Sequence, residues 1–232
     1  MREKYSIGLT VHNFENTDTL LILKSLVDAS IKIDFIIYHQ NYFKRRLLNL
    51  VNTILKKDND EKKILLEKIK SIKTFNIKDI NSTKCDTVLK MYEPSLVLCN
   101  TGIIKQKTIK NNPRTYLLNV HGSKLPEYRG VSNLHWALWE KRDIWVTVHR
   151  INNGIDEGDV LHQELLIKND ENLLENLSNL NFLIKSVIPK AILKFLSNEN
   201  TFVEQEYIGD LTKRWYSMHP IILNILNKRL EQ

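Results

Sequence analysis

The sequence contains few of the residues that constrain a chain covalently or conformationally: 2 cysteines, 5 prolines and 7 glycines among 232 residues. Two cysteines, Cys85 and Cys99, are too few for a disulfide framework, and they lack the spacing of metal ligands. We therefore expect both to be small buried side chains, and we expect no metal site.

The sequence also lacks a long apolar stretch. No run reaches the roughly 18 to 20 residues that cross a bilayer, and the polar residues 1–4 do not lead into the apolar core of a signal peptide. Hydrophobic residues at 42% and charged residues at 26% are typical of a soluble globular protein. These features predict a cytoplasmic protein without a membrane partner.

The net charge of +7 is not concentrated in one place. Lysines are locally dense only at 56–57, at 62–63 and from 68 to 73, whereas a nucleic-acid-binding surface usually gathers its basic residues into one patch or stripe. We expect a solvated surface that favours small anionic substrates, and we expect no nucleic-acid partner.

Short β-like runs alternate with segments of helical periodicity along the chain. Strands are predicted at 5–11, 31–38, 73–77, 95–99, 115–121, 145–151 and 159–167, with a further short strand at 201–205. Helices are predicted at 18–30, 42–72 (one broken helix or two), 83–92, 107–111, 133–141, 171–197 and 221–230.

This order predicts an α/β fold with a mainly parallel, Rossmann-like sheet and helices on both faces, because parallel strands need crossover connections. Ligands of such sheets bind outside the carboxyl ends of the strands. A length of 232 residues fits one main domain. We place that domain at 1–197 and a small C-terminal extension at 198–232.

Three polar residues stand near the ends of two predicted strands. Asn119 and His121 share one strand face, since side chains two residues apart point the same way. Asp156 follows the next strand in a loop bracketed by Gly154 and Gly158, from which it could reach His121. Taken singly, the three could satisfy a turn, fill a core and close a loop. Together they can stabilise a negative oxygen and move protons near neutral pH.

The same stretch resembles the folate-dependent formyltransferases, which include glycinamide ribonucleotide, methionyl-tRNA and nucleotide-sugar enzymes. Five blocks follow in the family's order: Asn119-Val120-His121, Ser123-Lys124-Leu125-Pro126, Tyr128-Arg129-Gly130, Val146-Thr147-Val148-His149 and Asp156-Glu157-Gly158. Gly122 departs from the proline common in the family, and Trp145 departs from a frequent glycine. The resemblance is good over about residues 90 to 170.

The resemblance implies a formyltransferase fold in which Asn119, His121 and Asp156 are catalytic and 10-formyltetrahydrofolate is the formyl donor. Asp156 could orient His121, favour its charged form or accept the proton of the attacking amine. The implied folate pocket is formed by Gly102, Ile103, Ile104, Asn152, Gly154 and Ile155. The implied substrate cleft is formed by Ser123, Tyr128 and Arg129, although Arg129 could equally brace its loop by bonding to backbone carbonyls.

Other aromatic residues near the motif have simpler interpretations. His149 is expected to serve packing or loop architecture more than chemistry. Trp136, Trp139 and Trp145 are expected in the core rather than against a nucleotide base. Enzymes of the resembled type are often homodimers, and we expect the same here.

The acceptor amine is predicted from what the chain lacks. Residues 10–15 contain no glycine and include Glu15, unlike the glycine-rich phosphate loop of glycinamide ribonucleotide enzymes. The residues after the long helix are too few for the extra domain of methionyl-tRNA enzymes. We expect a nucleotide-linked amino sugar, dTDP-4-amino-4,6-dideoxyglucose, used in bacterial surface polysaccharide (O-antigen) synthesis. The alternatives are the other two acceptors, a formyltetrahydrofolate hydrolase and a silent folate-binding module.

Overall fold

The computed structural model describes residues 5–12, 17–38, 67–169, 179–197, 202–206 and 214–230. Most of the helical region predicted at 42–72 and the first part of the helix predicted at 171–197 lie outside the described residues.

The described residues include seven strands and six helices of six residues or more. The strands are β1 (Ile7–Val11), β2 (Phe35–Tyr38), β3 (Lys73–Asn76), β4 (Leu96–Asn100), β5 (Tyr116–His121), β6 (Ile144–Arg150) and β7 (Val160–Ile167). The helices are α1 (Thr17–Asp28), α2 (Thr83–Tyr92), α3 (Gln106–Asn111), α4 (Asn133–Trp139), α5 (Leu180–Leu196) and α6 (Pro220–Leu230). Residues 67–71 are also helical.

The strands form a mixed, mostly parallel sheet in the order β3-β2-β1-β4-β5-β6-β7. The pairs β1–β2, β1–β4, β2–β3 and β4–β5 are parallel, and β6–β7 is antiparallel. The predicted α/β fold class is confirmed. The antiparallel pair arises because no helix is described in the short connection between β6 and β7, and a parallel pair would need a long crossover.

One predicted strand is wrong. Of the residues predicted at 201–205, the described ones form only a single bridge, between Val203 and Val160. This segment alternates poorly between apolar and polar side chains, so one pair of backbone hydrogen bonds is all that it contributes to a ladder.

The chain forms two compact units, Met1–Asn119 and Val120–Gln232. In the first unit, every residue of β1 is buried, as expected for a strand covered on both faces. Cys85 and Cys99 are free and buried, as predicted, and burial raises the pKa of each thiol to about 12. Both thiols therefore stay protonated at neutral pH.

The second unit has its own apolar core. Strands β6 and β7, helices α4, α5 and α6, and two loop residues contribute to it. Its buried members are Tyr128, Ala137, Leu138, Ile144, Ile167, Leu180, Met218 and Leu226. Residues of the predicted C-terminal extension thus pack in the same core as the β6–β7 pair. The domain boundary at 197/198 stays a prediction. Within the described ranges, no helix is long and apolar enough to cross a membrane.

Candidate active site

Strand β5 carries the first two candidate residues. Asn119 is half-buried, and His121, at the last position of the strand, is only 4% exposed. The two side chains are two residues apart on the strand, which points them to the same face.

Asp156 lies in a tight turn after β6, with φ of 56°. This left-handed conformation costs most residues roughly 1 to 2 kcal/mol, and aspartate is among the few that tolerate it. Its carboxylate Oδ2 accepts the backbone N–H of Gly130 at 2.8 Å. Gly130 has φ of 105°, and a Cβ there would meet the Trp215 carbonyl oxygen. The close approach at Gly130 therefore requires glycine.

The structure brings Asp156 between two histidines. Its Oδ2 lies 3.6 Å from Nδ1 of His121, and its Oδ1 lies 3.6 Å from Nε2 of His149. The two imidazole rings are 6.2 Å apart and nearly perpendicular. Sequence reasoning expected His149 to serve packing. Its register on β6 instead turns its ring nitrogen toward the carboxylate.

Backbone carbonyls fix the tautomer of both rings. Nε2 of His121 donates to the Tyr128 carbonyl oxygen at 2.6 Å, and Nδ1 of His149 donates to the Arg150 carbonyl oxygen at 3.0 Å. A carbonyl can only accept, so these two nitrogens carry the hydrogens of the neutral rings. In each neutral ring, the nitrogen that faces Asp156 is consequently the one without a hydrogen.

Burial sets the charge of the pair. It lowers the pKa of His121 below its usual value, and the nearby Asp156 carboxylate opposes that shift. Burial, followed by repulsion from His121, lowers the pKa of His149 to about 4, again against the carboxylate. Both imidazoles are therefore neutral at pH 7. A proton that enters the cluster binds on the side of a ring that faces Asp156.

Asn133 is a neighbour of His121 that the sequence did not reveal. Its Nδ2 lies 3.2 Å from Nδ1 and 2.9 Å from Nε2 of His121. Since the Nε2 hydrogen points to Tyr128, Nδ1 is the nitrogen that can accept from Asn133. An asparagine that begins a helix, as Asn133 begins α4, is usually explained as a cap, so its position gave no signal.

The three residues predicted to bind substrate are all buried in the second unit. Ser123 is 2% exposed, and its carbonyl oxygen accepts from the Thr147 hydroxyl at 2.8 Å. Tyr128 is 4% exposed and donates its hydroxyl to Glu140 at 2.7 Å. Their role toward a substrate stays a prediction.

Arg129 is 8% exposed, and its guanidinium binds another side chain of the second unit. Its Nε and Nη2 donate to the side-chain oxygen of Gln205 at 3.2 and 3.1 Å, rather than to the backbone carbonyls that we considered. A role of Arg129 in binding substrate also stays a prediction.

The segments predicted to hold folate are each well anchored in their own unit. In the first unit, Asn81 donates to the Ile103 carbonyl oxygen at 3.0 Å and accepts from the Lys105 N–H at 2.6 Å. In the second, the Asn152 side chain accepts the Gly154 N–H at 3.0 Å. The role of these segments in folate binding stays a prediction.

Two of the three tryptophans behave as expected: Trp136 and Trp139 pack against the core of the second unit. Trp145 is half-buried, with the Lys124 ammonium 5.4 Å from its ring. Trp215, whose ring stacks on Tyr128 at 5.7 Å, was not singled out from the sequence.

These features together define an α/β protein of Rossmann-like topology whose imidazole–carboxylate cluster lies at the carboxyl end of a strand and can take up one proton. In the described part of the chain, no group of three histidine, cysteine, aspartate or glutamate residues could hold a metal ion.

The comparison with known families gives the class its name. The family model described as "Formyl transferase" matches residues 22–192. The chain therefore belongs to the formyl transferase family.

Individual relatives fall into several branches of that family. A methionyl-tRNA formyltransferase of Methylacidiphilum infernorum is 34% identical over 105 residues, which are 44% of this chain and 33% of that protein. The chain thus spans about a third of the length of the curated relatives that it matches.

Solved structures share the fold. Glycinamide ribonucleotide transformylase 1 from Symbiobacterium toebii matches 89% of this chain and 96% of its own with a TM-score of 0.60 and 16% identity. An N-formyltransferase from Helicobacter canadensis, solved with folinic acid and dTDP-3-aminofucose, matches 91% of this chain and 70% of its own with a TM-score of 0.60 and 19% identity.

The geometry predicts how the histidines titrate when the carboxylate is neutralised. In Asp156→Asn, the pKa values of His121 and His149 should fall further, because the charge that opposes their desolvation is lost. NMR titration of the imidazole protons measures both values. Glu157→Gln, which neutralises a carboxylate one residue away on an exposed side chain, should leave them unchanged. Equal or higher pKa values in Asp156→Asn would contradict the arrangement.

Proposed function

We propose that this protein transfers a formyl group from 10-formyltetrahydrofolate to a primary amine. The observation that carries the proposal is the placement of the Asp156 carboxylate between His121 and His149, each at 3.6 Å. These residues stand in the motif order of a family to which the chain belongs. The formyltransferase reaction needs such a cluster, because the attacking amine loses a proton and the departing folate nitrogen gains one.

The chain's own groups match the demands of that chemistry. The folate donor supplies a formyl carbon attached to a nitrogen that can leave. The amide N–H of Asn119 is suited to donate to the formyl oxygen as negative charge develops there. His121 is neutral at rest, so it is set to accept a proton rather than to deliver one first.

Among the three roles left open for Asp156, the tautomers favour one. The hydrogen of neutral His121 lies on Nε2, so a proton is taken up at Nδ1, which faces the carboxylate. Asp156 then stabilises the charged imidazole and holds it in place. Proton uptake at His121 makes direct acceptance of the amine proton by Asp156 unnecessary.

The folate donor is proposed to lie against the backbone of Gly102 to Ile104 in the first unit. In the first unit, a Cβ built on Gly102 has no atom within 4 Å, and the Ile103 side chain is 76% exposed. Open space beside an anchored backbone suits a flat heterocycle that needs backbone hydrogen-bond partners.

The proposed acceptor is a nucleotide-linked amino sugar, dTDP-4-amino-4,6-dideoxyglucose, for O-antigen synthesis. The sequence from 10 to 15 contains no glycine and includes Glu15, which argues against glycinamide ribonucleotide. The scattered basic residues argue against a tRNA surface. The N-formyltransferase from Helicobacter canadensis was solved with a dTDP-linked amino sugar, which gives the proposal a precedent in this fold.

Methionyl-tRNA is the second candidate acceptor. The observation that favours it is the sequence similarity to methionyl-tRNA formyltransferases, 34% identity over 105 residues in one case. Cytoplasmic location and a homodimer remain expectations.

Substitution of the catalytic group should abolish most turnover without unfolding the chain. We expect Asn119→Ala to lower kcat by roughly a hundred- to a thousand-fold, the usual cost of one lost oxyanion donor. In His121→Ala and Asp156→Ala, kcat should decrease at least as much, since proton transfer is lost. Steady-state rates and thermal denaturation measure the two effects separately. His162→Ala, which removes a partly exposed histidine paired with Glu164, is the matched control. Near-normal turnover in His121→Ala would refute the mechanism.

The identity of the acceptor is tested by comparing the three acceptors at one concentration of the folate donor. The aminated dTDP-sugar should be formylated far faster than glycinamide ribonucleotide or methionyl-tRNA, as measured by the ratio of kcat/KM values. The rates should fall at acid pH, because the amine and His121 then both carry protons. A higher kcat/KM for methionyl-tRNA or for glycinamide ribonucleotide would overturn the sugar assignment and leave the formyltransferase reaction standing.

A further inference from the structure

We propose that Gln205 is a positioning residue that holds the Asp156 loop so that its carboxylate lies between the two histidines. The proposal rests on the proposed function for its kinetic consequence. Gln205 lies beyond residue 192, where the match to the family model ends.

The Gln205 side chain uses its full hydrogen-bonding capacity. Its oxygen accepts two bonds from the Arg129 guanidinium, at 3.2 and 3.1 Å. Its nitrogen donates to the carbonyl oxygen of Asp156 at 3.0 Å and to that of Gly158 at 2.6 Å. The carbonyls can only accept and the guanidinium can only donate, so this amide orientation is the one that satisfies all four bonds.

These bonds close a ring around the carboxylate. Gly130, whose N–H binds Asp156 Oδ2, follows Arg129 directly in the chain. Arg129 binds Gln205, and Gln205 binds the Asp156 backbone. The carboxylate of Asp156 is thus tied to the Arg129–Gly130 segment directly, and its backbone is tied to the same segment through Gln205.

The ring is itself held by two C-terminal segments. Val203 exchanges two backbone hydrogen bonds with Val160, both at 2.8 Å, which fixes the strand-like segment that carries Gln205. The Trp215 backbone accepts the N–H of Val131 at 3.2 Å and donates its own N–H to the Arg129 carbonyl oxygen at 2.7 Å. Gln205 therefore acts from an anchored backbone.

The Asp156 loop needs such support. Asp156 has a left-handed φ of 56°, and a residue in this region keeps its conformation only when its surroundings hold it there. A displacement on the order of 1 Å of a group that positions the chemistry can cost about a hundred-fold in rate.

Only an amide side chain can both accept from Arg129 and donate to the carbonyl oxygens of Asp156 and Gly158. A glutamate would still accept from Arg129, but it would present a carboxylate to the carbonyls of Asp156 and Gly158. An alanine would lose all four bonds. Gln205→Glu therefore tests the bonds to the Asp156 loop alone, whereas Gln205→Ala removes these bonds and the bonds to Arg129 together.

The test measures kinetics and histidine titration together. Both variants should lower kcat by roughly ten- to a hundred-fold with little change in KM for either substrate. In unliganded Gln205→Ala, which adds no charge, the pKa values of His121 and His149 should fall, because the carboxylate that raises them moves away. Besides Asp156, the charged or titratable groups that act on His149 are His121 and Arg129, and both lower the pKa of His149. Glu204→Ala, on the same segment and exposed, is the control.

The outcomes are distinguishable. Unchanged kcat and unchanged histidine pKa values in a folded Gln205→Ala would overturn the proposal, as would a lower melting temperature with both pKa values unmoved. If Gln205→Ala does not fold, the kcat of Gln205→Glu decides, because this variant keeps the bonds to Arg129 and loses those to the Asp156 loop; an unchanged kcat in it would overturn the proposal. If the unsubstituted protein transfers no formyl group, the proposed function fails, while the titration still tests the positioning of Asp156.

Discussion

The placement of one carboxylate between two buried imidazoles is the constraint on which the site depends. Asp156 is 3.6 Å from a ring nitrogen of both His121 and His149, and it is also bonded to the Gly130 N–H. Burial alone would keep both rings neutral and inert toward protons. The carboxylate stabilises a protonated ring in an apolar setting, and it does so at the nitrogen that faces the cluster.

Strands β5 and β6 and the connections that follow them serve this arrangement. Strand β5 ends at His121, strand β6 presents His149, and the connection between β6 and β7 carries Asp156. Backbone carbonyls of Tyr128 and Arg150 then fix the tautomers. The C-terminal segments, which the sequence suggested to be a minor extension, supply the side chain and backbone groups that hold the Asp156 loop.

The sequence predicted the parts of the molecule that depend on local pattern. Most strands of the sheet follow from short apolar runs, and the shared strand of Asn119 and His121 follows from the two-residue period. The strand predicted at 201–205 is wrong, because a segment that pairs at a single bridge needs no alternation of apolar and polar side chains that the sequence would show.

Long-range partners could not be predicted from the sequence. Gln205 and Asn133 belong to residue types that are common on surfaces and at helix ends, and their neighbours are distant in the chain. The charge of His121 was equally inaccessible, because its pKa depends on burial that only the folded chain defines. The role of His149 required the register of β6 relative to the Asp156 turn.

The central claim is that the chain passes a formyl group to an amine. Its most direct test follows the isotopically labelled formyl carbon of 10-formyltetrahydrofolate, with and without the aminated dTDP-sugar, by NMR. We expect the label to appear in an N-formyl sugar only when the amine is present, with tetrahydrofolate released in equal amount. Label that appears as formate at the same rate with or without the amine, or that stays on the folate in both cases, would contradict the claim.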